Sequence, residues 1–229
     1  MSATYVHHRI DAAPRRWQAV ADRLATDGAR RIAEAGGQLY GAWRSQIGRP
    51  RDEVQAISVW PQGITAAAAE RALLATSDDI RVVTSEILTP TLRPTDTVPP
   101  TRQGNYAFRW FAVPEPNWPE FLDLCAAAWP GFESAYDSQV IGLWQASGDR
   151  TGTGPDEVTG AGLHGGVRSL LLTRRPNLAM WERSKLPEGA AEAAVRDKLS
   201  RRYDLCDWTV VSTATLLTAV DRADTARWT

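Results

Sequence analysis

The period of the hydrophobic positions changes along the chain in a regular order. "TYVHHRI", residues 4–10, alternates and is β-branched or aromatic enough to predict a strand. Behind Pro14, which suits a first helical turn, Trp17, Val20, Ala21, Leu24, Gly28 and Ile32 recur at helical spacing until Gly36 and Gly37 stop the helix. "QLYGAW" and "EVQAISVW" predict two strands joined across a polar tip, "ITAAAAERALLA" a helix and "SEILTPTL" a closing strand.

The same order then restarts. "NYAFRWFAV" predicts a strand, and Asn117, with Glu120 three residues on, predicts a capped helix whose apolar face is Trp118, Phe121, Leu122, Cys125, Trp129 and Phe132. "QVIGLW" and "RSLLLTR" predict the middle strands. A helix through Ala191, Ala194, Val195, Leu199 and Tyr203 and the strand "TVVSTATLLT" complete the set. Seven identities support a repeat: Tyr5, Trp17, Asp22, Ala25, Gln38, Gly41 and Trp43 return 101 residues later as Tyr106, Trp118, Asp123, Ala126, Gln139, Gly142 and Trp144. The predicted fold class is α+β, with two tandem ferredoxin-like β-α-β-β-α-β repeats over 1–91 and 105–229. Residues 92–104, "LRPTDTVPPTRQG", form the linker, and a glycine-rich loop, 148–166, is inserted in the second repeat. Most strand positions are apolar on both faces, so the two sheets are expected to pack on each other within the chain.

Composition narrows the function. A formal charge of −1 gives no basic stripe, which argues against nucleic-acid binding. No apolar run is long enough for a membrane span, and "MSATYVHHRID" does not read as a signal peptide. Cys125 and Cys206 are too few for a disulfide framework; they read as buried thiols and a cytoplasmic setting. Ten tryptophans among 229 residues are unusual, and such rings either fill a core or line a site for a flat apolar ligand.

His7 and His8 point to opposite faces of their strand, and His8 shares its face with Val6 and Ile10 and aligns with Arg109. His8 is therefore the candidate general base, with a hydrogen-bonded structural histidine as the competing reading. Arg109, on an otherwise apolar strand, needs an anionic partner, either a substrate carboxylate or phenolate or an internal acid. Tyr40, expected on the face opposite Trp43, is a candidate proton donor. His164 lies in the glycine-rich loop, which reads as a lid or as plain surface. Trp43, Trp60, Trp110 and Trp144 on strands are candidate cavity walls, and Trp181, on a short helix, a candidate roof over the second repeat's pocket. Three histidines so placed do not make a metal site, and no Cys-x-x-Cys-His haem attachment is present.

With these motifs the chain resembles the NIPSNAP-like branch of the dimeric α+β barrel superfamily. Tyr106 and Arg109 match the branch's Y-x-x-R strand, where the first repeat has Tyr5 and His8. Gly41, Trp43, Ile47, Gly48, Pro50 and Trp60 follow its hairpin, with Asp52 in place of the usual Asn. The resemblance implies a barrel completed within one chain, as a monomeric pseudo-dimer or a larger homo-oligomer, and sites between a sheet and its helices. It implies a small-molecule enzyme acting on an aromatic or bulky apolar substrate. Cofactor-independent acid–base chemistry of the lyase or isomerase type leads, with Arg109 or Tyr40 stabilising negative charge. Cofactor-independent oxygenation of a phenol, a non-catalytic ligand-binding or scaffolding role, and a haem enzyme using His8 or His164 are the alternatives.

Overall fold

The computed structural model describes residues 3–75, 77–152 and 166–222. Eight strands form one closed barrel: β1 (Thr4–Ala12), β2 (Gln38–Ile47), β3 (Glu53–Trp60), β4 (Ile80–Arg93), β5 (Asn105–Pro114), β6 (Gln139–Arg150), β7 (Gly166–Arg175) and β8 (Trp208–Leu216). Around the barrel they run β4-β1-β3-β2 and then β8-β5-β7-β6, the same order in each half. All pairings are antiparallel. The halves meet edge to edge, β2 with β8 and β4 with β6, so closure leaves neither sheet with a free edge.

The helices sit outside. In the first half, α1 (Trp17–Arg23) and α2 (Ala29–Glu34) are joined by a π-helical turn, Leu24–Gly28, and α3 (Ala66–Leu73) follows β3. Thr65 caps α3, its hydroxyl accepting from the Ala68 amide at 3.3 Å. The second half carries α4 (Trp118–Ala135), the short α5 (Leu178–Arg183) and α6 (Gly189–Asp204). Asn117 does not cap α4 with its side chain, which instead donates to the Leu205 carbonyl and ties α4 to the end of α6.

Alternation sorts the strand residues between two environments. Tyr5, Tyr106, Phe108 and Trp110 point into the barrel, where Trp43 and Trp144 are its largest fully buried side chains. Val6, Ile10, Phe111 and Val113 point outward beneath the helices. A strand such as β3, buried at every position, is covered on both faces, and the polar residues it carries, Glu53, Gln55 and Ser58, are buried with the rest.

Two symmetric irregularities shape the interior. The register of β2 against β3 shifts between Leu39 and Gly41, and that of β6 against β7 between Val140 and Gly142. Each bulge switches the faces of the strand residues beyond it. Tyr40 therefore joins Trp43 inside the barrel instead of lying opposite it, and Ile141 joins Trp144. Each tryptophan ring folds back over the glycine two residues before it. A Cβ on Gly41 would stand 2.4 Å from Trp43 Cη2, and one on Gly142 2.3 Å from Trp144 Cη2. We expect Gly142→Ala to cost about 1–3 kcal/mol by overpacking, measured as a lower urea midpoint at unchanged m-value.

Candidate functional site

In the second half the space between sheet and helices is not filled. A cavity of about 380 Å³ opens there, floored by outward-facing strand residues and walled by helices. Arg109 on β5 faces it, with Leu171 directly across on β7 and Arg175 two pleats further along β7. α4 supplies Trp129 and Phe132, one turn apart. α6 supplies Arg196, Leu199, Arg202 and Tyr203 at helical spacing, and α5 and the turn after it bring Trp181 and Lys185 to the cavity.

The polar groups are ordered by aromatic faces. The Arg109 guanidinium lies 5.3 Å and that of Arg202 5.0 Å from the centre of the Tyr203 ring. Arg202 also lies 5.0 Å from the Phe111 ring, and its Nη1 donates to Cys125 Sγ at 3.7 Å. Arg175 sits between two rings, 4.5 Å from Trp181 and 4.9 Å from Phe132. Arg109 Nη1 donates weakly to Thr209 Oγ1 at 3.4 Å, and Arg175 Nη1 to Thr173 Oγ1 at 3.3 Å. Among the described residues no carboxylate lines the cavity or pairs with Arg109, Arg175 or Arg202. Elsewhere the chain does the opposite: Arg49 Nε meets Glu53 at 2.9 Å, Arg168 meets Glu86, and Arg183 meets Glu192 at 2.9 Å.

This concentration of positive charge sets the local acidities. Burial, helped by the repulsion of Arg109 and Arg202, brings Arg175 down to about 10. Burial also lowers Arg109. For Tyr203 burial pushes upward, but the guanidiniums of Arg202 and Arg109 overcome it and hold the phenol below its ordinary value. A phenol so placed favours its anionic form, the form that takes up a proton.

The residues singled out from the sequence are not all in this cavity. Arg109 and Trp181 line it. Trp43, Trp110 and Trp144 lie inside the barrel, with Arg168 stacked 4.5 Å over Trp110. Trp60 lies under the first half's helices, packed so closely on Gly37 that a Cβ there would stand 2.5 Å from its ring. Tyr40 packs edge-on against Tyr5 at 5.3 Å, and burial pushes its phenol upward. It borders a separate cleft along the linker beside Arg93, Asp96 and Arg102. His164 lies outside the described residues.

His8 has no exposed surface, and both ring nitrogens are engaged. Ser85 Oγ donates to Glu70 Oε2 at 2.7 Å, so it accepts from His8 Nδ1 at 2.8 Å. On the other side the Trp60 indole N–H donates to Ser58 Oγ at 2.9 Å, and Ser58 donates to His8 Nε2 at 2.9 Å. A single donor chain thus runs from Trp60 to Glu70 and holds His8 neutral with the proton on Nδ1. In the first half Trp60, Trp17, Leu24 and Leu73 occupy the space between sheet and helices. His7 points into the barrel, where its Nε2 meets Gln55 Oε1 at 3.0 Å and its ring stacks on Phe108.

The whole chain superposes on solved proteins of similar architecture. A "putative monooxygenase" from Lactobacillus acidophilus NCFM matches with TM-score 0.57 at 10% identity, over 96% of this chain and 98% of its own. An anthrone oxidase-like protein gives 0.55 at 11%, over 95% and 92%. A mutant chlorite dismutase from Candidatus Nitrospira defluvii gives 0.53 at 7%, over 93% and 90%. The fold is that of the dimeric α+β barrel proteins. No protein-family model matches the sequence, and no curated protein matches it. In dimeric α+β barrel terms, the second half's cavity lies between one sheet and its helices. No helix among the described residues is long and apolar enough to cross a membrane.

The described residues of this cavity offer no histidine ligand to a haem. Among the described residues the cavity's lining contains no imidazole, and the ring nitrogens of His8 are both held by serines.

Arg175, Arg196, Arg202 and Tyr203 are site-lining residues that the sequence pattern did not single out. The available signal was the set of charged and phenolic residues on the helix face through Val195, Leu199 and Tyr203.

Proposed function

We propose that the protein is a small-molecule enzyme that binds an aromatic or bulky apolar substrate in the second half's cavity and removes a proton from it. The observation that carries this reading is Tyr203, placed in an aromatic cavity under two guanidiniums with no carboxylate beside them among the described residues. The Tyr203 phenolate takes a proton from an acidic C–H or phenolic O–H of the substrate. The electron pair stays on the substrate as a delocalised anion, and Arg109 stabilises the oxygen on which charge accumulates. Return of the proton to a different carbon gives an isomer, and loss of a leaving group gives elimination. Both are acid–base reactions that need no cofactor. Trp129 supplies flat surface for the ring, and Leu171 and Leu199 the apolar floor.

A second reading shares the first step. The oxygenase and oxidase names of two solved neighbours favour an anion that reacts with molecular oxygen. A carbanion adds O2 and a proton to give a hydroperoxide, which loses water to leave a ketone or quinone. The two readings separate in one experiment, in which the full-length protein is incubated in D2O with 1-naphthol, anthrone and related enolisable ring ketones. Deuterium incorporation or rearrangement without oxygen uptake supports the acid–base reading, and stoichiometric oxygen uptake supports oxygenation. Absence of both across the panel counts against catalysis on such rings and favours a binding role. In either active case we expect Arg109→Gln to lower kcat/KM by about 10²–10³-fold, the loss typical of one oxyanion donor.

A further inference from the structure

The cavity holds more positive charge than stabilisation of one transient anion requires. Arg109 and Tyr203, with Arg202 beside the phenol, account for the proton transfer proposed above; Arg175 has no part in it, and neither Arg175 nor Arg202 has an anionic partner among the described residues. Both carry a buried Nε–H with no hydrogen-bond acceptor. Arg202 is 3% exposed, and its Nη1 donates to a thiol sulfur, a weak acceptor. Arg175 is clamped between Trp181 and Phe132, which fixes the plane of its fork, and its Nη1 donates to a threonine hydroxyl. A buried guanidinium without an anion is costly, and two of them beside Arg109 also repel one another. Arg49 and Arg168, turned inward elsewhere, are paired with acids, Glu53 and Glu86. Here the acid is missing from the protein side.

We infer that the missing partner is on the ligand: the cavity takes an aromatic carboxylate, its ring against the apolar lining of Trp129, Leu171 and Leu199 and its carboxylate on the forks of Arg175 and Arg202. A planar carboxylate matches a guanidinium fork through two parallel hydrogen bonds, and it satisfies the idle Nε–H groups at once. The aromatic and leucine lining suits a ring scaffold over inorganic phosphate. This inference deepens the proposed function, resting on the same cavity, but it concerns a permanent charge on the substrate and not the reaction.

Calorimetric titration of the full-length protein tests it with unreactive probes. 1-Naphthoate is expected to bind at least about tenfold more tightly than 1-naphthamide, a difference of about 1.4 kcal/mol. Inorganic phosphate is expected not to displace it. Arg175→Gln should abolish the preference for the carboxylate over the amide, and Arg175→Lys should restore part of it. Arg175 is the variant of choice because Arg202 is built into the packing of α6. Equal binding of acid and amide, no naphthoate binding below about 1 mM, phosphate competition at similar affinity, or an unchanged preference in Arg175→Gln would each overturn the inference. The two readings fail separately. Selective naphthoate binding with no turnover of any ring compound would leave this inference standing and remove the catalytic one. Turnover of neutral phenols without a carboxylate preference would do the reverse.

Discussion

Tyr203→Phe should lower kcat by about 10²–10⁴-fold, the range lost when a positioned base is removed, while an aromatic ligand still binds. The guanidinium faces of Arg109 and Arg202 lie against the Tyr203 ring, and phenylalanine keeps that ring. Only the ionisable oxygen goes. The pH profile gives a sharper test. The active form of the base is the phenolate, and Arg202 and Arg109 hold its pKa below the ordinary tyrosine value. In the wild type the rate should therefore climb with pH and level off as Tyr203 ionises, at lower pH than an ordinary tyrosine would. Tyr203→Phe should lack this rise in its residual rate. A variant that kept kcat to within about threefold, with the rise intact, would place the base elsewhere.

The identities 101 residues apart made part of the architecture legible, because Tyr5 and Tyr106, Trp43 and Trp144, and Gly41 and Gly142 occupy equivalent places inside the barrel. Arg109 was legible only as a charge in need of a partner; the structure puts it on the outward face of its strand, towards the helices where the cavity lies. Alternation misplaced Tyr40, because a bulge between Leu39 and Gly41 shifts the register and no local pattern announces it. Trp60 has no twin in the second half. Its ring covers Gly37 beneath the helices, which a periodicity reading cannot distinguish from a cavity wall. The cavity itself was hard to read for a different reason. α6 is polar over most of its length, so Arg202 looks like a solvated residue, and Tyr203, in register with Val195 and Leu199, like ordinary packing, until the helix is laid on the sheet. Whether a guanidinium finds an acid depends on tertiary neighbours, and only the folded chain shows that Arg175 and Arg202 do not.

Acidification should destabilise the protein steeply and early, well above the range in which carboxylates titrate. Burial holds His7 and His8 neutral, each with its pKa brought from 6.5 to about 3. His8 is surrounded by hydroxyls and hydrophobic side chains; His7 lies near Gln55, Arg49 and Arg168, and the two arginine charges disfavour protonation further. Well above 6.5 both folded and unfolded chains carry neutral imidazoles, so these groups give no pH dependence. Below 6.5 the unfolded chain binds two protons that the folded chain refuses, and stability falls with pH until the folded values near 3 are reached. Each histidine contributes a slope that approaches about 1.4 kcal/mol per pH unit, so the pair removes roughly 2 kcal/mol over the first unit below its ordinary value. That is a large share of the roughly 5–15 kcal/mol typical of a folded domain. Glu53, which burial holds above its ordinary value, acts in the opposite sense nearer 4.5, so the window to read is about 6.5 to 5.5. Urea unfolding at about pH 7.5, 6.5, 6.0 and 5.5 measures the slope. His8→Gln, whose amide can still meet Ser58 and Ser85, should halve it even if overall stability drops, and His7→Gln should do the same. A wild-type slope near zero in that window, or one that neither variant reduces, would mean that the folded protein protonates these histidines without resistance, and the buried donor chain through His8 would have to be redrawn.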